Sequence, residues 1–298
     1  MSMPYRLVFF GTELFSVPTL QSLIDTGYDI AAVVTKPDTV RGRGKKTFVH
    51  PVKQIALDHA IPVLQPEKLI DIEHELTALD ANAAILVSYG KIIPKRILDV
   101  FEPIGIINIH PSHLPEFRGP SPIEATILSG QKETAVSIMK LDEGMDTGPV
   151  YTQTKVILDG SESKPELSER LADIGAKALL TILPDILSGA LKPKPQENID
   201  VSVTSLISKQ DGVLDPTTDE ALLLERKIRA YQGYPKPHLT VLNNDVIVTS
   251  AKVVSALVPD SLTIACAHNT YLEIISLVAP SGRSMSAQDF LRGYRAQS

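Results

Sequence analysis

The chain is almost without cysteine and has no tryptophan. Its 298 residues include one cysteine, Cys266, and no tryptophan. One cysteine cannot form an intrachain disulfide or build a cysteine-based zinc site. Its apolar neighbours predict a small residue buried in a strand, and the lack of disulfide pairs indicates a cytoplasmic protein.

Long apolar runs and an excess of positive charge are missing as well. The apolar runs are broken by charge or proline, and the start, MSMPYRLVFFG, lacks the pattern of a secretory signal. We therefore expect no membrane partner. The net charge is −6, so a nucleic-acid partner would have to contact a local basic patch.

The most informative stretch is residues 104–122, IGIINIHPSHLPEFRGPSP. Its apolar start predicts a strand buried on both faces, and Pro111 ends that strand. Asn108 and His110 project from the same face, because strand side chains alternate. An amide can stabilise an oxyanion and an imidazole can move a proton, at the strand end where open α/β sheets bind ligands. Alternatively, both side chains only satisfy backbone groups.

A second candidate segment is residues 141–148, LDEGMDTG, after a predicted strand over 134–140. It contains three acidic residues, Asp142, Glu143 and Asp146. Any of the three could supply a carboxylate to a site, but acidic residues are also common in tight turns. The local pattern does not choose among them.

A third segment, residues 36–53, reads KPDTVRGRGKKTFVHPVK and holds six basic residues against one acid, Asp38. It is not a phosphate-binding P-loop, because Thr39 stands where the first glycine is required. A basic loop with two glycines can follow a phosphate backbone, or it is an ordinary solvated loop. Near the N-terminus, Gly11 and Thr12 lack the later glycines of a dinucleotide fingerprint, so NAD is not indicated.

Strands and helices alternate through about residue 188, which predicts a Rossmann-like, doubly wound α/β domain over residues 1–188. Residues 189–205 contain several prolines and are predicted to be a linker. Closely spaced strands beyond residue 206 predict a smaller β-barrel domain, OB-like, over residues 206–298. Ser286 is a candidate N-cap for a terminal helix.

The residues 108–115, NIHPSHLP, followed by FRG at 117–119, resemble the signature loop of the folate-dependent formyltransferases. The resemblance implies the formyltransferase fold, 10-formyltetrahydrofolate as formyl donor and no metal. It implies that Asn108, His110 and Asp146 are catalytic. His113 stands where family members usually carry leucine. The implied folate contacts are Ser112, His113, Leu114, Pro115, Ser88, Tyr89 and Gly90.

Three other segments are similar to the family branch that formylates methionyl initiator tRNA in translation initiation. They are the basic segment, SKQDG at residues 208–212, and the terminal helix. The junction at Gly233-Tyr234 departs from the usual asparagine–proline–tryptophan pattern. The resemblance implies a cytoplasmic monomer, with tRNA contacts from Arg41, Arg43, Lys45 and Lys46.

Other functions remain open on the residues alone. A formyltransferase for a sugar amine or another small amine would use the same catalytic side chains. A metal-dependent hydrolase could use His110, His113 and Asp146, although no recognised metal spacing is present. An RNA-binding protein with an inactive catalytic fold is disfavoured, because the catalytic candidates are all present. The C-terminal domain could contact RNA or only brace the fold.

Overall fold

The computed structural model describes residues 5–41, 46–197 and 199–294. The chain forms two compact units. The first consists of Met1–Pro120, Glu133–Val156 and Ser168–Val203, and the second of Ser121–Lys132, Ile157–Leu167 and Thr204–Ser298. Both units therefore combine segments that are distant in sequence. The predicted division at residues 188 and 206 describes order along the chain and stays a prediction.

The first unit is built on a seven-stranded mixed sheet with the strand order β5-β2-β1-β6-β7-β8-β9. Neighbouring strands are parallel from β5 to β7, and β8 runs antiparallel to β7. A separate hairpin joins β3 and β4. The strands are β1 Arg6–Gly11, β2 Asp29–Val34, β3 Thr39–Arg41, β4 Lys46–Phe48, β5 Val63–Leu64, β6 Ala83–Val87, β7 Ile106–His110, β8 Glu133–Lys140 and β9 Val150–Ile157.

The strand order reverses direction at β1, which has β2 on one side and β6 on the other. Ligands of open α/β sheets bind at such a switch point, beyond the carboxyl ends of the strands. The loops after β1, β6 and β7 all emerge at this edge, because these three strands are parallel. Every residue of β6 and β7 is buried, as expected for strands covered on both faces.

The sequence predicts helices over residues 15–26, 51–59, 71–79, 122–128, 163–187 and 219–231 and at the C-terminus, and each is present with bounds moved by a few residues. The helices are α1 Val17–Asp25, α2 Pro51–Asp58, α3 Glu73–Ala78, α4 Lys95–Val100, α5 Pro122–Ser129, α6 Lys164–Leu187, α7 Ala221–Ala230 and α8 Ala287–Tyr294. The α4 helix, which follows Pro94 directly, was not predicted. In the described part of the chain, no helix is long and apolar enough to span a bilayer.

The second unit contains a five-stranded antiparallel half-barrel. Its strands are β10 His238–Val241, β11 Asn244–Val254, β12 Leu262–Cys266, β13 Thr270–Val278 and β14 Ser284–Ser286. The order is β10-β11-β13-β12, and β14 also pairs with β13. The predicted small β-barrel fold of the C-terminal region is confirmed, as an antiparallel half-barrel. Cys266 is buried in it, and the Ser286 hydroxyl accepts a hydrogen bond from the Asp289 amide at 3.1 Å, as an N-cap does.

Candidate active site

Strand β7 carries two polar side chains into the interior of the first unit. Asn108 is 5% exposed and His110 is 4% exposed. Both lie on the same strand face because they are two residues apart. Within the described residues, the structure records no hydrogen bond from the Asn108 side chain. The Asn108 amide is not a fully enclosed polar group, so it can donate to a group that enters the site, and Asn108 is a candidate ligand contact.

The imidazole of His110 lies between two loops. Its Nδ1 is 3.7 Å from Asp146 Oδ2, too long for a hydrogen bond but within ion-pair distance when the ring is protonated. Its Nε2 is 3.0 Å from the Phe117 carbonyl oxygen. A carbonyl oxygen only accepts, so Nε2 carries the proton in this contact. The backbone amide of Gly119 donates to Asp146 Oδ2 at 2.7 Å.

The structure separates the three acidic candidates of the loop before β9. Asp142 Oδ1 accepts hydrogen bonds from the Gly144 amide at 3.0 Å and the Thr147 hydroxyl at 2.7 Å, which shape the turn. Asp142 and Glu143 are exposed. Asp146 is the acid that contacts His110, and its φ of +53° places it in the left-handed region. The geometry therefore favours Asp146.

The four proposed folate contacts in the loop after β7 fall into two pairs. Ser112 and Leu114 are buried, at 0% and 4% exposure. The Ser112 hydroxyl donates to the Glu116 carbonyl at 2.6 Å, and the Leu114 carbonyl accepts from Gln153 Nε2 at 2.7 Å. These two residues hold the loop in shape. His113 and Pro115 are partly exposed, so only this pair offers side-chain surface to a ligand.

The turn after β6 offers mainly backbone. Tyr89 is fully buried, its ring meets Phe10 edge-on with centroids 5.6 Å apart, and burial raises its pKa to about 12. Its carbonyl accepts a hydrogen bond from the Thr12 hydroxyl at 3.2 Å. Ser88 and Gly90 have φ values of +47° and +72°. A ligand contact through the Tyr89 side chain is not available in this arrangement, and the predicted contacts at 88–90 stay a prediction about backbone.

Three exposed apolar side chains in loops of the first unit were missed by sequence reasoning. Leu14 follows β1 and is 74% exposed, Ile92 follows β6 and is 80% exposed, and Met145 precedes Asp146 and is 53% exposed. Leu14 and Ile92 stand beside buried neighbours of the same type in sequence, so no local pattern singles them out. They provide apolar surface that a flat aromatic ligand could cover.

A cleft of about 860 Å³ is bounded by the loop that carries Asp146. None of the three catalytic candidates lines it. Tyr151 stands in its wall, and burial, then the charge of Glu102, raises its pKa to about 12. Within residues 5–41, 46–197 and 199–294, no group of three or more His, Cys, Asp or Glu side chains is placed to hold a metal ion.

The basic segment includes the hairpin of β3 and β4, in which Arg41 pairs with Lys46 across the strands. Arg43 and Lys45 lie outside the described residues. The segment is fixed at its base, where Lys53 Nζ contacts Asp38 Oδ2 and Gln65 Oε1, each at 2.6 Å. Gln65 Nε2 in turn donates to Asp38 Oδ1 at 2.9 Å. We call these three side chains the anchor.

Two known protein families match this chain. The Formyl transferase family matches residues 5–183, and the Formyl transferase, C-terminal domain family matches residues 206–295. The two matches cover both the strand with Asn108 and the half-barrel. The chain is therefore a member of the formyl transferases.

Full-length relatives narrow the class. The methionyl-tRNA formyltransferase of Myxococcus xanthus is 38% identical over 306 residues, covering 99% of this chain and 96% of the relative. That of Chloroflexus aggregans is 35% identical over 304 residues, covering 98% of each. The chain belongs to the methionyl-tRNA formyltransferase family, which confirms the family resemblance seen in the sequence.

Solved structures support the fold. HypX from Aquifex aeolicus in complex with tetrahydrofolic acid has a TM-score of 0.67 at 16% identity, covering 99% of this chain and 48% of that one. This chain thus spans about half the length of HypX. An N-formyltransferase from Helicobacter canadensis, in complex with folinic acid and dTDP-3-aminofucose, has a TM-score of 0.68 at 17% identity, covering 91% and 99%.

Proposed function

We propose that this enzyme transfers the formyl group of 10-formyltetrahydrofolate to the free amino group of methionyl initiator tRNA. The full-length match to methionyl-tRNA formyltransferases, including the C-terminal domain, carries the proposal. The buried contact between His110 and Asp146, beside an unpartnered Asn108, supports it chemically. A cytoplasmic monomer without a metal is part of the same proposal.

The reaction forms a bond between the amine nitrogen and the formyl carbon and breaks the bond between that carbon and N10 of the folate. The amine loses one proton and N10 gains one, so no external acid or base is consumed. Negative charge develops on the formyl oxygen during the attack. A site for this chemistry needs a donor to that oxygen and a group that can move the proton.

The three catalytic candidates fit these needs. Asn108 has an amide free to donate to the formyl oxygen, and protonated His110 is the second donor. For that role Nε2 must exchange its bond to the Phe117 carbonyl for one to the substrate. Asp146 stabilises the imidazolium and accepts the amine proton, directly or through water.

The folate lies, in this proposal, at the carboxyl edge of the sheet. Leu14, Ile92 and Met145 offer apolar surface to its rings, and the backbone around Ser88 and Gly90 offers polar groups. His113 and Pro115 border it from the loop after β7. This placement follows the rule that ligands of open α/β sheets bind beyond the strand ends.

A single assay tests the proposal. Purified enzyme is given 10-formyltetrahydrofolate with methionyl initiator tRNA and, separately, with an amino-sugar nucleotide. We expect formylation of the tRNA alone. Formylation of the sugar alone would contradict the proposal and favour a small-amine formyltransferase, whose fold resembles this one.

The basic segment is proposed to bind the tRNA through Arg41, Arg43, Lys45 and Lys46. Arg43→Ala should lower kcat/KM for the tRNA by about 10-fold, because phosphate contacts dominate affinity for nucleic acids. Lys177→Ala, which removes an exposed lysine of α6, is the matched control and should behave as wild type. Equal losses in the two variants would contradict a specific role for this segment.

A further inference from the structure

The residues 194–203, leaving aside residue 198, lie against both loops that form the active site. We call this segment the strap. Lys194 exchanges two backbone hydrogen bonds with Val150, at 2.7 and 2.8 Å, at the end of the Asp146 loop. Ser202 binds the other loop: its hydroxyl accepts from the Phe117 amide at 2.8 Å, and its carbonyl accepts from the Arg118 amide at 2.9 Å.

Gln196 is the strap residue that joins the two loops through one side chain. Its Nε2 donates to the carbonyl oxygens of Asp146 and Gly148, each at 2.8 Å. Its Oε1 accepts from Arg118 Nη2 at 2.8 Å and from Nε at 3.1 Å. Both hydrogens and the oxygen of the amide are therefore in use.

The backbone of Asp146 needs such support. Its φ of +53° is a left-handed conformation that a residue with a side chain adopts at a cost. That conformation places the carboxylate 3.7 Å from His110 Nδ1 and 2.7 Å from the Gly119 amide. Gln196 binds the carbonyl of this same residue, while its partner Arg118 directly precedes Gly119.

We propose that Gln196 is a positioning residue of the formyl-transfer site, which holds the Asp146 carboxylate against His110 by clamping its loop to Arg118. Gln196 acts through Asp146 and does not touch the reacting atoms. The inference rests on the proposed function for its kinetic part and on the structure for its positioning part.

Two substitutions test the clamp. Gln196→Leu removes the donors and the acceptor, and Gln196→Glu keeps an acceptor for Arg118 but has no hydrogens for the two carbonyls. We expect both to lower kcat by about 10-fold or more, because a small misplacement of a catalytic group is costly, with KM for each substrate within about threefold. Gln232→Leu is the matched control: its amide donates to the Thr249 carbonyl at 3.4 Å in the second unit.

A double variant separates positioning from general loss of structure. In an Asp146→Asn background, adding Gln196→Leu should change single-turnover rates by less than about twofold, because coupled residues are not additive. A further loss as large as in the wild-type background would overturn the proposal. So would a normal kcat in both Gln196 variants.

Amide hydrogen exchange gives a readout that does not depend on activity. The Gly119 amide, bonded to Asp146 Oδ2, and the Lys194 amide, bonded to the Val150 carbonyl, should exchange about 10-fold faster in Gln196→Leu than in wild type, because the loop loses its clamp. In Gln232→Leu they should exchange at the wild-type rate. Unchanged exchange in Gln196→Leu would overturn the positioning role even in an enzyme with a different acceptor. If the wild-type enzyme does not formylate methionyl-tRNA but Gln196→Leu still exchanges faster than wild type, the proposed function is rejected and the clamp is retained.

Discussion

The side chain of Asn108 is the sharpest test of the chemistry. Asn108→Ala should lower kcat by at least about 100-fold, since one oxyanion donor contributes about 3–4 kcal/mol. The variant should stay folded, because the amide has no recorded protein partner to lose in the described structure. Single-turnover formylation and urea unfolding measure the two effects. Near-normal turnover would refute the role of Asn108.

The positions of Asn108 and His110 could be predicted from strand alternation and from the proline that follows. The choice of Asp146 came from the family resemblance and not from the local pattern, because three acids lie within five residues and the folded turn decides which one contacts His110. Asp142 accepts hydrogen bonds from Gly144 and Thr147 within the turn, and these bonds exist only once the loop is folded. Leu14 and Ile92 carried no sequence signal because each stands next to an apolar residue that is buried, Phe15 and Ile93.

The anchor holds the base of the basic hairpin, and the charge of its Asp38 carboxylate makes the stability of the fold depend on pH. Hydrogen bonds from Lys53, then from Gln65, lower the pKa of Asp38. A carboxyl with a lowered folded-state pKa stabilises the fold above its unfolded value of about 4 and loses that contribution as the pH falls further. Asp38 is 22% exposed, so the contribution is about 1 kcal/mol at most.

Asp38→Asn should therefore lower the free energy of unfolding more at pH 7 than at about pH 2, because the charge contribution of Asp38 is lost as the pH falls through its lowered pKa. Urea unfolding at both pH values measures the difference. Asp58→Asn, at an exposed carboxyl that accepts from Gln54, is the control. A loss of equal size at both pH values would show that the charge of Asp38 is not what matters.

Elements with strong periodicity were predicted within a few residues, whereas short or long-range features were not. The β3–β4 hairpin, for example, lies in a segment whose charge and glycines suggested only a loop. The predicted linker packs on the first unit, through contacts between Gln196 and residues about 50 and 78 positions away. Local sequence patterns cannot predict contacts between residues so far apart in the chain.

The molecule as a whole is predicted to unfold in one step, because the second unit draws on three separate stretches of the chain. Phe290 is fully buried there and stacks on Tyr294 with centroids 4.4 Å apart. Phe290→Ala should destabilise the protein by about 3–5 kcal/mol, the usual cost of removing a buried aromatic ring. Calorimetry should show a single peak that moves to lower temperature, and two resolved peaks would contradict the prediction.

The strap also determines where the chain can be truncated or joined to another protein without loss of the site. A chain that stops at residue 188, at the start of the sequence-predicted linker, would keep Asn108, His110 and Asp146 but lose Gln196 and Ser202. Such a fragment, or a chimera joined there, would carry every reacting group on loops no longer tied together. A replacement for the C-terminal stretch should be joined after Val203, so that the whole strap stays with the first unit.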